Sequence, residues 1–167
     1  MRLPAGNLRW LWLSLGVLVA DQLTKWVALA GLEYARPQEL LPFFNFTLLY
    51  NTGAAFSFLA DHDGWQRWFF VFLAVVIVAA LLAWLAFVAL DDRRIKAGIA
   101  AVIGGAVGNV IDRVAYGYVV DFLDFHWAGW HWPAFNIADA AITIGVVLII
   151  WAELRPRRQA SVSDDRR

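Results

Sequence analysis

The sequence predicts an α-helical membrane protein with four transmembrane helices, and three observations carry that prediction. Hydrophobic residues make up 61% of the 167 residues and charged residues 17%, against roughly 45–50% and 25% in soluble domains. The apolar residues gather into four stretches, at about 10–32, 68–90, 96–115 and 137–153. The basic residues are distributed unevenly between the connections, as in chains that thread a bilayer with a fixed orientation.

A spanning helix needs ~20 mostly apolar residues, at ~1.5 Å per residue across ~30 Å of hydrocarbon. The stretch at 68–90 meets this with no charge at all. The stretch at 10–32 does so only if Asp21 and Lys25 face a protein interior, and 96–115 only if Asp112 and Arg113 do. The stretch at 137–153 is short, and is either slightly submerged or extended by its aromatic approach. Between the first two, the run ELLPFFNFTLLY at 39–50 is aromatic-rich and bounded by Pro42 and the turn signal Asn51-Thr52-Gly53, which suggests one or two strands on the membrane surface. Asp61, His62, Asp63 and Gly64 then form a polar turn, and Trp65 and Trp68 read as interface anchors.

Ten of the 14 Lys and Arg lie before the first stretch, between the second and third, or after the fourth. Both termini and the 91–96 connection are therefore expected in the cytoplasm, with 33–67 and 114–136 outside. The N-terminus shares features with a cleavable signal peptide, but Asp21 and Lys25 interrupt it before the Ala28-Leu29-Ala30 site, so a span is the better reading. Residues 1–154 read as one domain, and the polar, Arg-rich 155–167 as a disordered cytoplasmic tail.

Composition excludes several chemistries. With no Cys there is no disulfide, thiol nucleophile, iron–sulfur cluster or Cys-ligated zinc. The three His form no H-E-x-x-H, and none of Ser14, Ser57, Ser161 and Ser163 lies in G-x-S-x-G. A Ser57/Lys25 dyad lacks supporting spacing. No metal, cofactor or nucleic-acid partner is expected.

The informative residues are polar groups placed where lipid should be. Asp21 and Lys25 share a helix face at i,i+4 and read as a bridge locking the bundle, or as a substrate contact. Gly104 and Gly108 give a G-x-x-x-G spacing for close helix packing. Asn109, Asp112, Arg113 and Tyr116 follow; Arg113 cannot face its neighbour Asp112 and needs another carboxylate, or a lipid or peptide oxygen. Asn136 is placed as an N-cap with Asp139 at N3, which would serve the helix alone. Yet Asp139, and Asp121 in the segment that also holds Asp124, map to the external end beside Asn109 and Arg113. Carboxylates converging at one membrane depth point to chemistry. Two close acids share a proton, so the ionised one activates water while the other donates to a scissile carbonyl.

These residues fall in five ordered blocks: DQLTK at 21–25, NTGAAFS at 51–57, GAVGNVIDR at 105–113, VDF at 120–122 and FNIAD at 135–139. Together they resemble the lipoprotein signal peptidase (signal peptidase II) family of bacterial inner-membrane aspartic proteases, over about residues 10–152. The resemblance implies four transmembrane helices with a small extracytoplasmic β-cradle, about 39–57. It implies Asp121 and Asp139 as the catalytic pair, and so selects Asp121 over Asp124. It implies that Asn109, Arg113 and Asn136 position the substrate or the acids, with Asn51, Gly53 and Ala55 in a loop over the site. Asp21, Lys25 and Asp112 would be structural. The implied substrate is a prolipoprotein carrying diacylglycerol on its cysteine, cut just before that cysteine by a monomer that also contacts membrane lipids. A small proton-coupled transporter is the alternative, although its acids would be expected to cross the membrane; a non-catalytic scaffold leaves Asp121 and Asp139 without a purpose.

Overall fold

The computed structural model describes residues 5–53, 64–87 and 92–155. The elements run α1 (Ala5–Leu8), α2 (Leu11–Gly31), β1 (Gln38–Leu41), β2 (Phe44–Asn51), α3 (Trp65–Phe87), α4 (Arg93–Tyr116), β3 (Val119–Trp127), β4 (Trp130–His131) and α5 (Ile137–Glu153). Ala55, the expected turn residues 61–63 and the tail beyond 155 lie outside the described residues.

Among the described residues three helical stretches are long and apolar enough to cross a membrane: Gly6–Gly31, Trp65–Phe87 and Arg93–Tyr116. Helix α5 has 17 residues, about 25 Å at 1.5 Å per residue. α3 begins three residues before the expected 68, because its polar first turn is held by protein: Gln66 is buried, and Arg67 Nη2 donates to the Val114 carbonyl at 2.7 Å. α4 starts at the Asp92 cap, whose carboxylate accepts the Arg94 N–H at 2.7 Å. It stops at Gly117, whose φ of 89° is one that a side chain disfavours.

Helix α4 is the hub, packed against α2, α3 and α5. Its small residues make this possible. A Cβ on Gly104 would lie 2.5 Å from the Ser14 carbonyl of α2, and one on Gly105 would strike the Ala138 carbonyl of α5. A Cβ on either Gly98 or Gly145 would lie 2.6 Å from the other's carbonyl oxygen. In lipid, packing of this kind drives helix association, since apolar side chains gain little by leaving a solvent as apolar as themselves. Leu85, Ile95, Ile99 and Ile103 form the core between α3 and α4. Trp12, Trp26, Phe72 and Ile144 point outward. A Cβ on Gly108 would lie 2.5 Å from Asp21 Oδ2. Gly108→Ala is expected to destabilise the protein by roughly 1–3 kcal/mol, the usual cost of overpacking, read as a lowered thermal midpoint in detergent; an unchanged midpoint would mean that α2 and α4 separate freely.

The sheet is built from both connections at one end of the bundle. Its order is β1-β2-β3-β4, antiparallel throughout. The surface strands expected at 39–50 are present as β1 and β2, but the cradle draws equally on 119–131, where no strand was expected. The reason is burial: Val119 to Phe122 are all buried, so β3 lacks the apolar–polar alternation that marks a strand with one wet face.

Candidate active site

One extra residue in β2 decides which of its side chains accompany each acid of β3. Phe46 pairs with Leu123 and Leu49 with Asp121, so three steps on β2 match two on β3. Side chains alternate along a strand, so this bulge turns Asn45 and Thr47 to one side and Leu49 and Asn51 to the other. Asp124 accordingly takes Thr47 Oγ1 at 2.8 Å, Asn45 Nδ2 at 3.5 Å and His131 Nδ1 at 2.8 Å. Burial alone would raise its carboxyl, but the hydrogen bonds from His131, Thr47 and Asn45 hold it below the usual carboxylate range. Asp121 faces the helix ends instead.

Three asparagines surround Asp121 and Asp139, and each has its amide orientation fixed from outside. Asn51 Oδ1 accepts the Gly53 N–H at 3.1 Å, so its Nδ2 reaches Asp121 Oδ2 at 3.1 Å. Asn136 Oδ1 caps α5 by accepting the Asp139 N–H at 2.9 Å, and its Nδ2 donates to Asp121 Oδ1 at 2.7 Å. Asn109 Oδ1 accepts from Lys25 Nζ at 3.0 Å, and its Nδ2 donates to Asp139 Oδ1 at 2.8 Å. The capping box expected at Asn136 and Asp139 is complete, with Asp139 Oδ2 accepting the Asn136 N–H at 3.4 Å. Asn136 thus touches both acids, one through its side chain and one through its backbone.

Asp121 and Asp139 line a cleft of about 1130 Å³ with Asn51, Asn109 and Arg113. Tyr34, Trp132 and Phe135 also line it, as does α5 as far as Ile144; nothing in the sequence order brings these residues together. Arg113 finds the peptide oxygen its sequence position required: Nη2 donates to the Gly53 carbonyl at 2.9 Å and Nη1 to the Asn109 carbonyl at 3.4 Å. Its guanidinium lies 5.2 Å from the Phe70 ring centre.

Asp21, Lys25 and Asp112 stand behind the cleft. Lys25 Nζ bridges Asp21 Oδ2 and Asp112 Oδ2, each at 2.8 Å. Asp21 Oδ1 also accepts the Ala138 N–H at 2.9 Å, a further free donor of the α5 N-terminus. Asp112 Oδ2 accepts the Val120 N–H at 3.1 Å, which ties α4 to β3. Gln22 joins the cluster through Asp112 Oδ1 at 3.0 Å. It adjoins Asp21 in the DQLTK block and could have been read as polar within a span, but helix periodicity alone did not aim it at α4.

Burial and the charge of Asp139 push the Asp121 carboxyl up to about 7, against the pull of Asn51, Asn136 and Lys25. An acid raised from 3.8 to about 7 stays protonated in the folded protein while the unfolded chain releases its proton. Its contribution to stability therefore falls as pH rises between those values, and is level above them. Asp121→Asn removes that slope. The thermal midpoint of the variant minus that of wild type should rise between about pH 5 and about pH 8, in the direction given by linkage; a difference independent of pH would contradict a raised pKa.

The fold and the cleft define a multi-pass membrane protein with a polar, acid-lined site beside its helix ends. The chain belongs to the signal peptidase II family, whose pattern, described as "Signal peptidase (SPase) II", matches residues 13–155. It is 51% identical over 148 residues to the "Lipoprotein signal peptidase" of Polynucleobacter necessarius subsp. necessarius, covering 89% of this chain and 90% of that one. It is 46% identical over 162 residues to that of Vibrio cholerae serotype O1, covering 96% and 95%. A solved structure described as a bacterial membrane enzyme, obtained by the in meso method at 2.3 Å resolution, superposes with a TM-score of 0.79 at 34% identity, covering 95% of this chain and 93% of that one. This membership makes the protein a protease and leaves the transporter reading without support.

Proposed function

We propose that this chain is an aspartic endopeptidase that removes the signal peptide from diacylglyceryl-modified prolipoproteins, just before the lipidated cysteine, using Asp121 and Asp139. The observation that carries this reading is Asn136, which holds both carboxyls to one cleft from one residue. Two buried carboxyls this close share one proton; in this reading Asp121, which burial and the charge of Asp139 push up, carries it, and Asp139 acts as the ionised partner. Asp139 takes a proton from a water as its oxygen attacks the scissile carbonyl carbon. Asp121 gives its proton to the carbonyl oxygen, and a tetrahedral diol forms. Its collapse breaks the C–N bond as a proton passes to the leaving amine. Asn51, Asn109 and Asn136 hold the acids, and Arg113 fixes the backbone at Gly53 beside them. Ala55 belongs to the same loop block.

Residues 1–154 form one peptidase domain in this reading, with α5 as the fourth span. Both termini are cytoplasmic, since the basic residues gather at that end, where Arg94 and Arg155 lie over the Trp151 ring at 4.8 and 4.3 Å. The site then opens on the outer face of the bacterial inner membrane, near the boundary of the hydrocarbon. Acyl chains bury ~0.8 kcal/mol per CH₂, so a lipidated cysteine sits at that boundary, at the depth of Asp139. The protein works as a monomer among lipids. A gel-shift assay with purified protein tests the reading. Diacylglyceryl-prolipoprotein should be shortened and the same protein without lipid cut poorly; equal turnover would remove depth as the selecting principle, and no shift with a folded enzyme would remove the peptidase.

A further inference from the structure

The chain has four tyrosines, and all four stand in one stacked row. Tyr34 and Tyr50 have ring centres 4.9 Å apart, Tyr50 and Tyr118 4.2 Å, and Tyr118 and Tyr116 5.9 Å, with planes inclined by 25°, 29° and 23°. The rings come from separate parts of the chain: the connection after α2, strand β2, the end of α4 and the approach to β3. Tyr34 is 60% exposed and Tyr116 53%. An exposed aromatic row assembled from three places in the chain is not a packed core, and contiguous exposed apolar surface marks a contact site.

The row is continuous with the cleft. Tyr34 and Tyr50 line it beside Asp121 and Asp139, while Tyr118 and Tyr116 carry the row away from it. The cleft also follows α5 from Asp139 to Ile142 and Ile144, an apolar wall along that helix whose far end, at Ile144, is exposed on the outside of the bundle. A substrate whose signal segment and acyl chains occupy the membrane end has to leave by the opposite one. We infer that the tyrosine row is a track for the prolipoprotein segment that follows the lipidated cysteine, and so sets preference by the length of that segment; this rests on the peptidase reading above. The row is long enough for roughly four or five extended residues at ~3.3 Å each. Rings already held by one another lose little freedom on binding, and their edges and hydroxyls can pack on a peptide backbone without reading its sequence.

The test uses two diacylglyceryl peptides that share one signal segment. One ends a single residue after the cysteine and the other continues for about ten, twice the reach of the row. Wild type should cleave the long peptide with about tenfold higher kcat/KM, the worth of one or two aromatic contacts, and the difference should lie in KM. In Tyr116→Ser/Tyr118→Ser the ratio should fall to about one, and in Tyr116→Phe/Tyr118→Phe most of it should return. The single variant Tyr116→Ser, at an exposed helix end, should give an intermediate ratio and serves if the double variant does not fold. A ratio of one in wild type would overturn the track alone. A full ratio in the serine variants would assign the row to lipid headgroups, as an interfacial belt. No cleavage of either peptide would overturn the peptidase reading and the track with it.

Discussion

Asp139→Asn is expected to abolish cleavage of a lipidated prolipoprotein while the protein still inserts and runs monodisperse. The side chain is isosteric, and its partners allow an amide. Asn109 Nδ2, now 2.8 Å from Asp139 Oδ1, would meet the new carbonyl oxygen. Only the long contact of 3.4 Å with the Asn136 N–H would be lost, about 1 kcal/mol at most for one hydrogen bond. What disappears is the base. General acid–base groups each contribute roughly 10²–10⁴ in rate, and with Asp121 protonated no other carboxylate lining the cleft can take the water's proton. Asp121→Asn should be equally inactive, because an amide cannot hand a proton to the carbonyl oxygen. Asp124→Asn is the control: its partners Thr47, Asn45 and His131 lie on the other side of the bulge in β2. Gel-shift rates on the three variants decide the matter, and cleavage surviving in Asp121→Asn but not in Asp124→Asn would reverse the assignment.

That bulge also marks the limit of what the sequence discloses. Helix positions were legible because lipid demands long apolar runs, and the Asn136–Asp139 box because a cap is a local pattern. The i,i+4 spacing of Asp21 and Lys25 foretells their contact, which lies at 2.8 Å. The small residues of α4 announced close packing through Gly104 and Gly108. Strand β3 escapes because both faces of its first four residues, Val119 to Phe122, are covered, which erases the period of two there. The choice between Asp121 and Asp124 is beyond local reading altogether. They lie three residues apart, so one must face the cleft if the other faces away, and the β2 side chains that accompany each are set by an extra residue in that other strand. Motif resemblance names Asp121, which spacing cannot do, and the register sets Asp124 with Thr47, Asn45 and His131 while Asp121 lines the cleft. Asn45, Thr47 and His131 carry no local signal for the same reason: each is an ordinary polar residue until the register places it on Asp124.

The second large effect is expected at a residue that touches neither carboxyl of the pair. Lys25 is almost fully buried, and its three donors are all used, on Asp21, Asp112 and Asn109. Lys25→Met keeps the length of the side chain and removes the charge. Two carboxylates would then share a site with no cation, while Asp21 still has to hold the Ala138 N–H and Asp112 the Val120 N–H. Breaking a buried pair from one side costs roughly 3–5 kcal/mol, so the variant should unfold at much lower temperature or fail to accumulate. The compensated variant Lys25→Met/Asp21→Asn/Asp112→Asn has no buried charge to strand and should recover most of that stability. Activity should not follow. Without the ammonium, Asn109 keeps only the 3.3 Å contact from Asn136 on its carbonyl oxygen, and its amide is free to turn away from Asp139. A stable triple variant with kcat lowered about tenfold or more, within the range for a mispositioned acid–base group, would assign Lys25 two separable tasks, neutralising the bundle and aiming Asn109. Full activity in the triple variant would reduce it to the first.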